Sequence, residues 1–355
     1  MLNPVNALGG QHSGFKMFAA HMLVIAAATA LSSNDIHAAS DKILCSMMLF
    51  RHGQHRCFLK TFVRRENSHA ALERKSFKKV LVANRGEVAA RIFRTLREME
   101  IESVGIYTYE DRYTQHRLRA DKSFRIGNGK DPVAPYTDIE RIIEVAVKNN
   151  VDAIHPGHDF LAKRPEFAER VLSEGISYIG PTPSVIEQMR DNFKARLCAI
   201  ETNLQVIPGS SIPLTSPEEA VKIVKEFGTP ILLKPAHGSG GQAMQYVHNP
   251  RQIAEAFELM SNKARKLFGD GSLIIEKFID QPRHIEIQVL ADQQGDVVHL
   301  FERDCSLQLK QQKFLEMAPA RRLDEEIRSR LYADAIALAR HIGYRNAGAY
   351  AQLFI

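Results

Sequence analysis

The sequence predicts an α/β fold in which a parallel β-sheet carries helices on both faces. Apolar runs of four or five residues, at 79–83, 104–107 and 151–155, have the length of buried strands. Between them lie the stretches 88–96 and 139–148, whose apolar residues recur every three or four positions, as on the inner face of a helix. Strands that alternate with helices in this way are typical of parallel sheets covered on both sides.

Three turns that follow predicted strands support the same fold. These turns are Asn84–Glu87, His155–Asp159 and Gly180–Thr182. Before the third turn, the sequence predicts a helix at 164–173 and a strand at 177–179. Ligands of such sheets bind outside the carboxyl ends of the strands, so we expect these turns to line one edge. The first turn reads NRGEVA and lacks G-x-G-x-x-G, which argues against a nicotinamide dinucleotide site.

The segment 206–280 differs in character from the part before it. A strand at 231–234 leads into the glycine-rich run PAHGSGGQAM, and a helix near 253–260 and a strand at 273–278 follow. This order predicts a small α+β unit that carries a glycine-rich loop. The last segment, 283–355, opens with two strand-like runs and ends inside a third.

Composition and charge narrow the classes of function. The chain has 355 residues, of which 45% are hydrophobic and 25% charged, as is ordinary for a globular protein of one to three domains. Its four cysteines lie far apart without a CxxC pair, which favours a reducing compartment. Residues 1–79 hold 11 Lys and Arg against 4 Asp and Glu, so with a total of +6 the remainder carries about −1. The main body therefore has no nucleic-acid footprint.

Residues 1–76 form a basic N-terminal extension, which is either a targeting segment or a solvated tail. Its apolar run, 17–31, is too short and interrupted to predict a membrane span, although a secretory signal remains an alternative. The stretch after this run is basic and poor in acidic residues, as in mitochondrial presequences. We expect a mitochondrial location, with the cytoplasm as the alternative, and no membrane partner.

Two short motifs indicate a nucleotide. The glycines of 238–241 follow a strand that ends in Lys234, and glycine lets backbone N–H groups approach phosphate oxygens while a lysine meets their charge. The run is no Walker A loop, and a plain turn is the alternative. Glu276 and Lys277 end a strand where such a pair can hold adenine and ribose; a surface ion pair would look the same.

Two further stretches indicate a lined cleft. On a strand with period two, His284, Glu286 and Gln288 share one face, and an apolar row occupies the other. An exposed sheet edge could give this pattern too. The polar run QLKQQK places Lys313 where it could face bicarbonate or phosphate, and a solvated loop is the alternative.

Together these motifs resemble the biotin carboxylase domain of pyruvate carboxylase-like proteins, over residues 77–355. The resemblance is carried, in the family's order, by KVLVANRGEVAARIFR, VDAIHPGHDFL, YIGPTPSVIEQM, IEKFIDQPRHIEIQVL and FERDCSLQ. It implies a Rossmann-like pre-ATP-grasp lobe at 77–205, an ATP-grasp lid at 206–280 and an incomplete C-terminal ATP-grasp lobe at 281–355. It also implies that Mg-ATP phosphorylates bicarbonate and that the carboxyl group passes to biotin on a biotinyl domain of another part or chain. Full-length carboxylase subunits are a further expected partner.

The resemblance also assigns roles to single residues. Its ATP contacts fall on Lys234, Gly238, Gly240, Gly241, Glu276, Lys277, His284 and Gln308. Glu286 falls on a cleft carboxylate, and Lys313 falls on a lysine that faces bicarbonate.

Several positions depart from the family pattern. An ATP-contacting lysine is Asn192 here, with Lys194 two residues away, and a nucleotide-contacting histidine is Gln311. The lid's Gly-Arg-Gly reads GQA at 241–243. The family's HPGYGFLSE reads HPGHDFLAK, which places Asp159 where the family has glycine.

The departure with the largest expected effect concerns magnesium. The family's Mg-binding glutamate falls on Ala351, and the E-x-N-x-R-x-Q-V-E-H stretch does not occur before Ile355, so no metal ligand is retained. We therefore expect ATP binding with impaired turnover. The alternatives are a non-catalytic pseudoenzyme or gene fragment that binds nucleotide or a full-length carboxylase, and, less favoured, an ATP-grasp ligase for an amino acid.

Overall fold

The computed structural model describes residues 77–129, 131–237, 243–309 and 312–354. The predicted N-terminal extension, 1–76, lies outside these residues. Contacts divide the chain into two compact units. The first contains the described residues up to 181 with 290–298 and 345–347, and the second contains 182–289, 299–344 and the residues from 348 on. The predicted domain boundaries after 205 and 280 stay a prediction.

The first unit is built on a five-stranded sheet whose paired strands are all parallel. Its strands are β1 (Lys79–Val82), β2 (Glu102–Tyr107), β3 (Lys122–Arg125), β4 (Ala153–His155) and β5 (Ser177–Tyr178). Its helices are α1 (Gly86–Glu98), α2 (Gln115–Arg119), α3 (Ile139–Lys148) and α4 (Pro165–Ser173). The strand order is β3-β2-β1-β4-β5. This sheet confirms the predicted fold class, although the short elements α2 and β3 were not predicted.

The spacing of apolar residues predicted β1 and α1 correctly, because the apolar side chains of the strand pack against those of the helix. Val80 and Val82 of β1 pack against Ile92, Phe93 and Leu96 of α1, and all five side chains are buried. Burying a side chain of this size contributes about 1.5–3 kcal/mol. The apolar spacing of α1 is therefore a consequence of the core that it covers.

Asn84 ties the first two predicted turns together at one edge of the sheet. Its Nδ2 donates hydrogen bonds to the carbonyl oxygens of Pro156 and His158, each at 2.9 Å. The intervening Gly157 has a φ of +69°, and a Cβ at this position would lie 2.5 Å from Asn84 Nδ2. Only glycine fits there, and the predicted common edge is confirmed for these two turns.

The second unit contains a three-stranded antiparallel sheet in the order β7-β6-β8. Its strands are β6 (Ile231–Pro235), β7 (Gln245–Val247) and β8 (Leu273–Lys277). The helices of this part are α5 (Pro183–Arg190), α6 (Asn192–Glu201), α7 (Pro217–Phe227) and α8 (Ile253–Phe268). Val224, Phe257 and Met260 of α7 and α8 pack against Ile231 and Leu233 of β6. This core fixes the strand that ends at Pro235.

A four-stranded sheet has the order β11-β10-β9-β12, and most of its residues belong to the second unit. Its strands are β9 (Arg283–Ala291), β10 (Val297–Leu309), β11 (Gln312–Met317) and β12 (Asn346–Phe354), and helix α9 spans Glu325–His341. Strands β10 and β11 pair antiparallel, with Gln308 opposite Lys313. Residues 308, 309, 312 and 313 of the polar run therefore lie in strands, and for these described residues the alternative of a solvated loop is wrong.

Short 3-10 segments of the described residues lie at Glu110–Tyr113, Ala134–Thr137, Phe160–Lys163 and Pro250–Gln252. Among the described helices, none combines the length and the apolar character needed to cross a membrane.

Candidate functional site

A cluster of three charged side chains lies at the end of β6. The Nζ of Lys234 is 2.6 Å from a carboxylate oxygen of Glu276 on the neighbouring strand β8. A guanidinium nitrogen of Arg196, from α6, lies 3.9 Å from the other oxygen of the same carboxylate. All three side chains are mostly buried. Two cations thus share one anion, and the cluster carries a net charge of about +1.

Arg196 has one hydrogen-bond donor that no acceptor among the described residues satisfies. Its Nε is buried and finds no hydrogen-bond partner among them. A buried donor of a charged group costs free energy unless it meets an acceptor. Together with the positive charge beside Lys234, this donor suits an anionic group such as a phosphate.

The predicted loop glycines Gly238, Gly240 and Gly241 lie outside the described residues, but the residue before them is held in place. His237 Nδ1 hydrogen-bonds to a carboxylate oxygen of Asp191. The other carboxylate oxygen of Asp191 accepts the backbone N–H groups of Phe193 and Lys194 at 2.9 Å and caps α6. The entry to the glycine run is therefore anchored to the first turn of that helix.

Asn192, at the position where the family carries an ATP-contacting lysine, has a structural contact of its own. Its Nδ2 donates a hydrogen bond to the Pro235 carbonyl at 3.0 Å. A neutral amide bound to the backbone provides no positive charge for phosphate.

Lys277 differs from its neighbour Glu276 in what its side chain contacts. The Lys277 Nζ donates to the carbonyl of Phe227, the last residue of α7, at 2.9 Å. A cation at a helix C-terminus is favoured by the exposed carbonyls there. The side chain therefore stabilises α7, and the adenine-contacting role of this position stays a prediction.

The row His284, Glu286 and Gln288 on β9 is more buried than its pattern indicated. Glu286 is only 4% exposed, and Gln288 is buried as well. Arg303 of β10 donates to a Glu286 oxygen at 2.5 Å and to Gln288 Oε1 at 2.9 Å. Lys313 of β11 binds the other Glu286 oxygen through its Nζ. One carboxylate thus holds two cations from two strands.

The charge state of Glu286 follows from these partners. Burial disfavours the carboxylate, but His284, Lys313 and Arg303 together outweigh burial and hold the pKa of Glu286 well below its ordinary value of 4.5. Glu286 is therefore ionised at neutral pH and serves as the anionic centre of this cluster.

The hairpin of β10 and β11 brings two more predicted residues to the cluster. Gln308 Nε2 lies 2.8 Å from His284 Nδ1, and His284 Nε2 lies 3.3 Å from a Glu286 oxygen. The structure thus brings together His284, Glu286, Gln308 and Lys313, and it separately pairs Lys234 with Glu276. Their ligand roles stay predictions.

Sequence reasoning missed two arginines of these clusters, Arg196 and Arg303. Arg196 lies in a helix with little amphipathic pattern, and no motif marks it. Arg303 stands in the run Glu302–Cys305, where polar residues alone did not indicate which carboxylate it would bind. The one available signal was Glu286 itself, because a carboxylate on a buried strand requires a cationic partner.

The described residues of these clusters do not fit a magnesium ion. Mg²⁺ requires oxygen ligands that are free to coordinate it, usually carboxylates together with phosphates. Glu276 is paired with Lys234, and Glu286 is paired with Lys313 and Arg303. The resemblance places the family's metal-binding glutamate at Ala351, whose methyl group offers no ligand atom, and that correspondence stays a prediction.

Comparison with protein families divides the chain into two matched regions. Residues 76–186 match the family described as biotin carboxylase, N-terminal domain. Residues 190–354 match the family described as carbamoyl-phosphate synthase L chain, ATP binding domain.

Individual relatives agree with these matches. The chain is 48% identical over 284 residues to pyruvate carboxylase 1 of Caenorhabditis elegans, which is 80% of this chain and 24% of that protein. It is 46% identical over 277 residues to human mitochondrial pyruvate carboxylase, covering 78% of this chain and 24% of the relative. The chain thus spans about a quarter of the length of these curated relatives.

A solved relative shows the same fold. It is the biotin carboxylase domain dimer of 2-oxoglutarate carboxylase from Hydrogenobacter thermophilus, in complex with MgADP, ADP and bicarbonate. The TM-score is 0.74 at 40% sequence identity, over 78% of this chain and 61% of that chain.

Proposed function

Because this chain belongs to the biotin carboxylase family, we propose that it binds ATP in the second unit. It is homologous to the biotin carboxylase region of pyruvate carboxylases. The complete reaction to which it relates is the ATP- and bicarbonate-dependent carboxylation of biotin, which feeds the conversion of pyruvate to oxaloacetate. Biotin would arrive on a biotinyl domain, and the proposed location is the mitochondrion, as for the human relative.

The observation that carries ATP binding is the cationic cluster at the end of β6. Lys234 and Arg196 share a single carboxylate, Glu276, and Arg196 Nε lies buried with no acceptor among the described residues. A triphosphate would supply that acceptor and the missing negative charge. The glycine run at 238–241 follows this strand and would offer backbone N–H groups to the same phosphates.

The remaining predicted contacts would position the nucleotide around this cluster. His284 and Gln308 are hydrogen-bonded to each other and would meet the ribose and phosphate side. The backbone of Glu276 and Lys277 would contact the adenine. Glu286 would act indirectly, because it holds Arg303 and Lys313 in place.

We also propose that turnover is impaired. Asn192 replaces an ATP-contacting lysine and is bound to the Pro235 carbonyl. Ala351 replaces a magnesium-binding glutamate, and Lys313, which would face bicarbonate, is held by Glu286. The chain thus has positive charge for binding a nucleotide, whereas phosphoryl transfer depends on electrostatic stabilisation by the metal ion.

ATP binding is tested by calorimetry on the full chain and on Lys234→Ala. We expect heat of binding from the wild-type chain and its loss in Lys234→Ala. Lys263→Ala, an exposed lysine of α8, is the matched control and should bind as the wild type does. Equal binding by all three proteins would contradict the assignment of Lys234.

Impairment is tested by phosphate release with ATP, Mg²⁺, bicarbonate and free biotin. We expect no release above that of Lys234→Ala. In the double variant Asn192→Lys, Ala351→Glu, Mg²⁺ should tighten nucleotide binding, because this variant restores a cation and a metal-ligating carboxylate. Wild-type turnover above the Lys234→Ala level would contradict the proposal.

A second candidate function is non-catalytic association with a full-length carboxylase, and the β10–β11 hairpin favours it. Leu307, Leu309 and Phe314 are exposed there, with 74% of Phe314 accessible. Adjacent exposed apolar side chains are typical of interaction surfaces. Co-sedimentation with full-length pyruvate carboxylase should occur with the wild-type chain and fail with Phe314→Ser. Co-sedimentation that is absent, or equal for both, would exclude this hairpin as the binding surface.

A further inference from the structure

Three side chains of metal-ligating type meet where two helices of the second unit end. Cys198 and Glu201 lie three residues apart on α6 and therefore share a face. His341 is the last residue of α9. A ligand atom from each, the Cys198 Sγ, a Glu201 carboxylate oxygen and a His341 ring nitrogen, lies within 4.8 Å of the other two. None of these residues belongs to the proposed nucleotide site.

We infer that Cys198, Glu201 and His341 form a binding site for a divalent cation of the zinc class, with water completing the coordination. Thiolate, imidazole and carboxylate are the three ligand types that Zn²⁺ takes in proteins, and three protein ligands plus water are one of its usual arrangements. The thiol and the imidazole select against Mg²⁺ and Ca²⁺, which take oxygen ligands.

The three ligand atoms are close enough for one ion to reach once the side chains adjust. Zinc bond lengths place tetrahedral ligand atoms roughly 3.3–3.6 Å apart. His341 Nε2 and Glu201 Oε2 are already 3.0 Å apart, in a hydrogen bond that joins α6 to α9. Both of these side chains are exposed, so their rotamers are free to change and to bring both ligand atoms to bonding distance of an ion beside the Cys198 Sγ.

The surroundings of the thiol also match a metal site. Cys198 is 2% exposed, and its Sγ accepts a hydrogen bond from Gln188 Nε2 of α5 at 2.8 Å. Such an outer contact orients a sulfur ligand and stabilises its thiolate. Glu201 and His341 end their helices, and the carbonyl ends of helices favour a cation.

Titration of the full chain with Co²⁺ tests the site, because thiolate-bound Co²⁺ gives a charge-transfer absorption that carboxylates and imidazoles do not give. We expect this absorption in the wild-type chain and its loss in Cys198→Ser. Cys305→Ser, which alters the other buried cysteine of the described residues, is the matched control and should keep it. Zn²⁺ should displace the Co²⁺, and excess Mg²⁺ should not.

His341→Gln decides the matter independently of the buried cysteine, because His341 is exposed and its loss leaves the core intact. We expect the dissociation constant for Co²⁺ to rise at least about tenfold, since even outer contacts of metal sites carry that much. At the same Zn²⁺ concentration, the Tm of the wild-type chain should rise by more than that of His341→Gln. A wild-type chain without thiolate absorption, or an absorption that survives both Cys198→Ser and His341→Gln, would overturn the inference.

Discussion

Replacing Glu286 by glutamine removes the one negative charge that holds Arg303 and Lys313. The carboxylate is 4% exposed and binds both cations, with Arg303 at 2.5 Å. Removing one partner of a buried ion pair costs about 3–5 kcal/mol. The Arg303 and Lys313 side chains keep 25% and 34% exposure, so water can partly solvate them, and we take the lower end, about 3 kcal/mol.

The assay is urea unfolding at pH 7, supported by the Tm. A loss of about 3 kcal/mol corresponds to roughly 4 °C for a chain of 355 residues, because the entropy of unfolding is about 2.1 cal/mol/K per residue. Glu316→Gln is the matched control, because this exposed carboxylate lies 3.3 Å from Arg303 Nε. Exposed pairs contribute about 0–1 kcal/mol, so the control should change little.

The same substitution also predicts a dependence on pH. The pKa of Glu286 is lowered in the folded state, so its contribution is fully present above the ordinary value of 4.5 and is lost as pH falls towards the folded pKa. The difference in stability between wild type and Glu286→Gln should therefore shrink below pH 4.5. A loss at pH 7 no larger than that of Glu316→Gln, or a difference that does not shrink in acid, would refute this reasoning.

Three further predictions concern single residues. Asp159 has φ 56° and ψ −154°, a region that favours glycine, and its side chain contacts His158 and Lys163 in exposed pairs. Asp159→Gly should therefore raise the free energy of unfolding in urea by about 1 kcal/mol. A decrease would contradict backbone strain at this residue. Burial lowers the pKa of His155 to about 4, and its Nδ1 accepts a hydrogen bond from the Gly157 N–H at 2.9 Å. NMR should therefore show a neutral His155 ring at pH 6. Because the unfolded chain binds this proton more readily, the stability of the fold should decrease as pH drops from 6.5 towards 4. Burial raises the pKa of Cys305 to about 11, so mass spectrometry should find it unmodified by iodoacetamide at pH 8 in the native protein; rapid labelling would contradict its burial.

Local periodicity predicted the elements that bury an apolar set close in sequence. Strand β1 and helix α1 follow one another directly, and the apolar residues of each recur at regular spacing because they face the same core. Helix α3 was predicted at 139–148, where it lies, because its buried residues recur in the same way. The edge strand β3 reads KSFR and buries little, so no pattern marked it.

The β10–β11 hairpin shows what local pattern could not predict. The sequence indicated two strand-like runs at the start of segment 283–355 without their bounds, whereas β10 continues to Leu309 and pairs with β11. The last four residues of β10, 306–309, are exposed, and backbone pairing rather than burial holds these four in a strand. The contact of Gln308 with His284 depends on this strand pairing, so the sequence could not predict that the two side chains meet. The family resemblance predicted only the role of each residue.

The electrostatic partners were equally hidden from the sequence. Glu286 was identified from the alternation on β9, but Arg303 lies 17 positions further along and Arg196 lies 80 positions before Glu276. Ion pairs between distant residues leave no periodic trace. The sequence thus indicated which carboxylates matter, whereas the fold determined which cations neutralise them.

The dependence of ATP affinity on Mg²⁺, measured by calorimetry on the wild-type chain, tests the central claim most directly. Lys234 and Arg196 should bind the nucleotide, while Glu276 and Glu286, both held in ion pairs, and Ala351 give the ion no ligand. ATP should therefore bind with the same dissociation constant in EDTA and in Mg²⁺. No binding in either condition, or binding that tightens strongly with Mg²⁺, would contradict the account.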